Sequence, residues 1–224
     1  MGLLETFFNL DVMTRTLPML GRGLVNTALL SLTAIFFGVV TGVIWCLVKL
    51  YGPRPLRLLA IFLIDAFRAL PILVLLVVIY YALPFVGIRL SSFASASLAL
   101  SLVLAAFTAE VFRAGIESLP KGQFEAADAL GLSFLVTLWK VVLPQAVRVA
   151  IPPQTSNCVA IAKDTSLASV VAMPDLLKQA TDAQALTANP SPLIAAAIIY
   201  FIILWPAVRL VSYLEARARR AQTA

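Results

Sequence analysis

The residues able to do chemistry in this chain are few, and they sit where charge is expensive. Asp65, Arg68 and Pro71 interrupt one long apolar run, and Arg148, Pro152, Pro153, Gln154, Asn157, Lys163 and Asp164 interrupt another. In a bilayer such groups face a cavity or one another, because an unpaired charge in hydrocarbon is costly. Each proline removes a backbone donor, and a broken helical ladder is tolerated where the backbone lines protein or a wet cavity. The pattern predicts a polar path through an apolar body, with a break at Pro152-Pro153. Asp65 and Arg68 share a helix face and read either as a structural ion pair or as members of that path. Lys163-Asp164 reads either as a helix end, with Asp164 capping and Lys163 snorkelling, or as a gate.

Covalent chemistry has little footing here. There is no histidine, and Cys46 and Cys158 both lie in apolar runs, which argues against a disulfide framework or a metal site. No cofactor and no metal are expected. Gly21-Arg22-Gly23 is too short for a phosphate loop, and no Gly-x-x-x-x-Gly-Lys-Ser/Thr motif exists, so the chain is not expected to hydrolyse ATP itself. No convergent acid cluster in the spans supports a membrane enzyme.

The elements that must position the path are membrane helices. The composition is 61% hydrophobic and 12% charged, about half the ~25% charge of a soluble domain. Mean hydropathy is +0.97. The long apolar runs lack period-2 alternation, which favours helices over a barrel. The fold class expected is all-α, a polytopic membrane protein forming one domain over residues 1–224. Its five transmembrane helices are expected at about 23–48, 58–83, 90–116, 139–163 and 190–212. Leu3, Leu4, Phe7, Phe8 and Leu10 suggest an amphipathic segment over 1–21 lying on the membrane. Gly38 and Gly42 form a small-xxx-small pair that either admits a neighbouring helix or faces lipid. The third span continues as a helix through Glu110, Arg113 and Glu117, and residues 175–189 read as a polar loop.

Five spans place the termini on opposite sides. One side collects Lys49, Arg54, Arg57, Arg113, Lys121, Lys140 and the tail Arg209, Arg217, Arg219 and Arg220; the other collects Arg15, Arg22, Arg89 and Lys178. The positive-inside bias puts the C-terminus in the cytoplasm and the N-terminus outside. It also accounts for the net charge of +6 without nucleic acid.

One hydrophilic stretch, about 119–138, lies between the third and fourth spans on the basic side. Pro120 suits a helix start, Gly131 the positive φ just past its end, and Ser133 the cap of a second short helix. Ala126, Ala127 and Ala129 would let a partner surface come close, and Glu125 and Asp128 offer it carboxylates.

Here the sequence resembles a known family. Glu125-Ala126-Ala127, Gly131, Val141 and Leu143-Pro144 match the EAA loop of ABC importer permeases, with Val141 in place of the usual isoleucine. The flanks resemble the polar amino-acid uptake permeases: Phe67-Arg68-Ala69-Leu70-Pro71, Ala109-Glu110-Val111-Phe112-Arg113, Pro120-Lys121-Gly122-Gln123 and Lys163-Asp164-Thr165-Ser166. Ala69-Leu70 departs from the commoner Gly-Thr.

The resemblance implies a permease subunit of a bacterial cytoplasmic (inner) membrane importer. Its implied partners are a second permease subunit, two ATP-binding subunits and an extracytoplasmic amino-acid-binding protein. It assigns ATPase coupling to Glu125, Ala126, Ala127, Gly131, Leu143 and Pro144. For an amino-acid substrate, Arg68 beside Pro71 could take the carboxylate, Asn157 could donate and accept, and Asp164 could meet the ammonium, with Lys163 nearby. The alternative is a self-sufficient secondary transporter or channel, against which the missing repeat pair counts.

Overall fold

The computed structural model describes residues 6–222, with backbone alone for Lys121 and for residues 219–222. Among the described residues all regular structure is helical. Helix α1 (Leu10–Tyr51) has 42 residues, a length of roughly 60 Å at ~1.5 Å per residue. Asn9 caps it, its side chain accepting from the Val12 N–H at 3.1 Å. The separate surface helix expected up to residue 21 is absent from Leu10 onward, where the chain already forms the first turns of α1. Leu3 and Leu4 lie outside the described residues.

Helix α2 (Arg54–Ala69) is followed by α3 (Ile72–Val77), which continues through a π turn (Val78–Ala82) and a 3-10 turn (Leu83–Val86). The second span is not the single rod expected over 58–83, because these two pieces are bent by 106°. Proline disfavours helical backbone in the residue before it. Leu70 is accordingly extended, with φ −84° and ψ 133°, and Pro71 starts a new helix.

Helix α4 (Ser92–Glu117) forms the centre of the molecule. Its Ala99, Leu100, Val103, Leu104, Ala105, Ala106 and Ala109 are all buried, and α1 and α2 pack against it. Gly38 and Gly42 resolve as a packing pair. A Cβ on Gly38 would lie 2.8 Å from Leu104 Cβ, and one on Gly42 only 2.5 Å from the Ala105 carbonyl oxygen.

Helix α5 (Lys121–Ala129) is short and polar. Helix α6 (Phe134–Thr137), a π turn (Leu138–Val142), α7 (Leu143–Asp164) and a 3-10 turn (Thr165–Val171) make one continuous 38-residue run. The break expected at Pro152-Pro153 does not occur: both prolines sit inside α7. Ala146, Ala150 and Ile161 are buried on either side of them, and this packing holds the helix on course through the missing donors. What the prolines do change is local. The carbonyls of Arg148 and Val149 lack their i+4 donors.

Residues 175–189 are mostly helix rather than loop. Asp175 caps α8 (Leu176–Thr187), accepting from the Lys178 N–H at 2.8 Å. The Leu176 N–H donates to Thr27 Oγ1 at 3.0 Å, which docks α8 on α1. Asp175 is fully buried, and that desolvation pushes its carboxyl up to about 6. Helix α9 (Ser191–Gln222) closes the bundle against α1, α7 and α8. Among the described residues, four helical runs are long and apolar enough to cross a membrane, and the bent α2–α3 pair passes the same test when its two pieces are taken as one span.

Replacing Gly42 with Ala forces either the α4 backbone or Thr108 to move. The expected cost is about 1–3 kcal/mol, read as a lower thermal midpoint in detergent. Gly21→Ala is the control, since no atom lies within 4 Å of its Cβ, and its midpoint should not fall.

Candidate functional site

The site grows out of the bend between α2 and α3. Arg68 is in the last turn of α2, and the bend leaves its side chain 41% exposed. Across from it run α4, which presents Phe107 and Glu110, and α7, which presents Asn157 and Asp164.

A cavity of about 350 Å³ lies between these elements, bounded by Arg68, Pro71, Phe107, Asn157, Ala160 and Asp164. Four residues expected in the path from sequence therefore meet around one space. Lys163 is exposed and not among its lining residues. A second cavity of about 430 Å³ lies further along α4, lined by Glu110, Arg113, Gly115, Val149 and Pro153. Arg68, Phe107 and Asn157 border both, so they form the partition between the two.

Arg68 does not pair with Asp65. Its Nη1 lies 3.8 Å from Glu110 Oε2, and its guanidinium carbon is 5.9 Å from the centroid of the Phe107 ring. Position i+3 puts Asp65 near Arg68, but the guanidinium is directed to Glu110 and Phe107 on α4 instead.

Glu110 is the centre of this polar group, and the reading from sequence missed it as a path residue. Lys49 Nζ on α1 donates to Oε1 at 2.6 Å. Arg113 donates to Oε2 from Nη2 at 2.8 Å and from Nε at 3.2 Å. Arg113 also pairs with Glu117 one turn on. Glu110 is only 17% exposed. The available signal was its place as the first charge after the uncharged run of α4.

Between α4 and α7, Gln154 Nε2 donates to Thr108 Oγ1 at 3.0 Å, holding the Asn157 face of α7 toward α4. The walls of the first cavity carry groups of both charge signs. Arg68 is the cation at the partition, Asn157 the neutral donor and acceptor, and Asp164 the anion at the far wall.

The hydrophilic stretch forms a compact knob. Helix α5 ends in a Schellman arrangement: the Leu132 N–H bonds the Ala127 carbonyl at 3.1 Å and the Gly131 N–H bonds the Asp128 carbonyl at 2.9 Å. Gly131 has φ +68°. Glu125, Ala126, Asp128 and Ala129 are exposed, whereas Ala127 is buried against its own chain and is not free to receive a partner. Ser133 stands at the start of α6 but makes no side-chain capping bond, and α6 opens the long helical run instead of forming a separate second helix. Leu143 is buried and Pro144 exposed; Leu143 packs in a cluster with Ile116, Leu138 and Phe124.

Residues 34–220 match the model of the family described as binding-protein-dependent transport system inner membrane component. The L-cystine transport system permease protein TcyB of Bacillus subtilis (strain 168) is 38% identical over 188 residues, 83% of this chain and 80% of the relative. The probable glutamine ABC transporter permease protein GlnM of the same organism is 32% identical over 214 residues, 95% and 99% of the two chains. Among solved structures, an amino acid ABC transporter with histidines superposes with a TM-score of 0.83 at 32% identity, covering 92% of this chain and 96% of the other. The inward-facing MetNI methionine ABC transporter gives a TM-score of 0.72 at 20% identity, covering 88% and 96%, a likeness of fold alone. The chain belongs to the inner-membrane components of binding-protein-dependent transport systems, among the amino-acid ABC transporter permeases.

Proposed function

We propose that this chain is the permease subunit of an ATP-driven importer that carries a polar or charged amino acid into the cytoplasm. The observation that carries the reading is the meeting of Arg68, Asn157 and Asp164 around one cavity that shares its partition with a second. Unpaired charge in a low-dielectric site is costly, so a path for a zwitterion must supply both signs, and these residues do. The identity to cystine, glutamine and arginine permeases supports the substrate class. The second permease subunit, the two ATP-binding subunits and the external binding protein complete the assembly. No phosphate loop exists in this chain, so the energy enters from a partner.

Arg68 takes the substrate carboxylate, Asn157 bridges, and Asp164 meets the ammonium at the cavity wall. With the binding protein present, Arg68→Gln removes a charge-assisted hydrogen bond worth about 1.5–3 kcal/mol, and uptake should drop by roughly 10-fold or more. Asn157→Ala should also reduce uptake. Both complexes should assemble normally on size exclusion. Normal uptake by both variants, or failure of both to assemble, would remove the pocket.

Coupling to the ATPase runs through the exposed face of α5, Glu125 and Ala126 foremost, with Gly131 fixing its end and Leu143-Pro144 anchoring it to α7. A side chain at Gly131 would have to hold φ +68°, which L-residues disfavour. Gly131→Asp should abolish uptake and weaken co-purification of the ATP-binding subunit, while the isolated binding protein captures substrate as before. Wild-type transport by Gly131→Asp with an intact complex would end the coupling role.

The N-terminus lies outside and the C-terminus in the cytoplasm, which places α5 with the ATPase and α8 outside. A phosphatase reporter active only outside the cytoplasm should work in α8 and stay silent after Gln222. The reverse pattern inverts every side.

A further inference from the structure

Two charges inside the membrane helices take no part in the polar group around Glu110. Asp65 on α2 and Arg148 on α7 are both exposed, and neither has an ion pair among the described residues. Each points away from its own chain's packing. On α2 the buried residues are Ala60 and Ile64, more than a quarter turn round the helix from Asp65. On α7, Ala146 and Ala150 are buried, and i±2 lies on the side opposite Arg148.

Their heights agree. Arg68 reaches Glu110, so Asp65, three residues earlier on α2, lies just to the α5 side of the Glu110 level. A Cβ on Gly115 would sit 3.0 Å from the Ala146 carbonyl oxygen, so these two residues share a level. Arg148, two residues beyond Ala146, lies just above it. Both charges fall between the levels of Glu110 and Gly115, within about a turn and a half of α4.

Neither marks the end of the apolar surface. Leu58 is 67% exposed and Phe62 68% on the face of Asp65, and Val147, Val149 and Ile151 are 38%, 40% and 44% exposed around Arg148. A lone carboxylate and a lone guanidinium among such residues call for partners of opposite sign.

We infer that these two faces are the contact between two copies of this chain, with Asp65 of one copy paired to the partner subunit's Arg148, and the reverse. A two-fold axis along the membrane normal preserves height, and a self-complementary contact repeats each pair twice. A carboxylate and a guanidinium at one height on different helices fit that symmetry, whereas either helix facing itself would bring like charges together. The inference rests on the reading that the permease works as a pair, and it specifies that the pair is of identical chains and where they touch.

The test uses the whole transporter purified from membranes, with two differently tagged copies of the permease. Wild-type copies should co-purify through either tag. If they never do, pairing of identical chains fails at the outset, while the importer reading stands on the uptake assay. Asp65→Arg alone and Arg148→Asp alone should each lower recovery of the tagged pair at least fivefold, since every contact then joins like charges. Co-expressing the Asp65→Arg chain with the Arg148→Asp chain should restore the mixed pair to near wild-type recovery, because both contacts again join opposite charges. Rescue only when both changes are in one chain would mean an ion pair within the subunit and would overturn the inference. Undiminished recovery of either single variant would overturn it as well. A separate check is disulfide cross-linking of Asp65→Cys to Arg148→Cys, the two in different copies, in a background with Cys46 and Cys158 replaced by Ala. A cross-linked pair is expected, and none with an intact complex would sink the contact.

Discussion

The carboxylate of Glu110 holds this architecture together. Three cations from three helices converge on it: Lys49 of α1, Arg68 of α2 and Arg113 of its own α4. A carboxylate offers about four lone-pair sites, and here both oxygens are engaged. Taking a group this far from water is expensive unless it is paired and hydrogen-bonded, so the contacts are conditions of its being there at all. Without it, Lys49, which is only 18% exposed, would lose its counter-charge, and Arg113 would keep only Glu117. The hold on Arg68 is the loosest of the three. At 3.8 Å it is an ion pair without hydrogen-bond geometry, and the guanidinium can leave for a stronger partner at small cost.

That looseness gives the bend at Pro71 its purpose. Arg68, just before the 106° turn, lies beside Phe107 and borders both cavities. On the proposed reading, a substrate carboxylate arriving in the first cavity would compete with Glu110 for this guanidinium, because a bidentate pair is stronger than a 3.8 Å contact. Glu110 keeps Lys49 and Arg113 in either case. The polar group therefore has a tightly held part, Lys49 and Arg113, and a loosely held part, Arg68, and of these only Arg68 borders both cavities.

Much of this was legible in the sequence because local chemistry decided it. Gly131 announces its positive φ, Pro120 the start of α5, and the glycines of α1 a close approach. The cluster of polar residues in the second and fourth spans announced the cavity. What was not legible depended on partners distant in sequence. Spacing made Asp65 a candidate for Arg68, but i+3 is a necessary condition and not a sufficient one, and the partner chosen lies on another helix. The proline pair in α7 looked like a break by the local rule, and the buried Ala146, Ala150 and Ile161 overrode it. Residues 175–189 looked like a loop because they are polar, yet Asp175 caps a helix that α1 holds in place through Thr27. Ala127 belongs to a motif whose neighbours are exposed, and only packing shows that it turns inward.

If α5 receives the ATPase as proposed, force applied there has a short route to the cavities. Helix α4 runs unbroken from Ser92 to Glu117 and carries Phe107, Glu110 and Arg113 on the way. Two residues after its end, Leu119 packs in the cluster that also takes Phe124 of α5, and Leu138, Val142 and Leu143 ahead of Asn157. A displacement of α5 is thus delivered to both α4 and α7 at once, through apolar packing that transmits strain because it has few voids. Gly115 lies against the Ala146 carbonyl with no side chain between them, so the two helices meet backbone to backbone at the wall of the second cavity. A fulcrum of that kind turns a small tilt at α5 into a change in the gap between Glu110 on one helix and Asn157 on the other. Arg68 sits in that gap, and its weaker attachment to Glu110 is the contact that a change of width would break first.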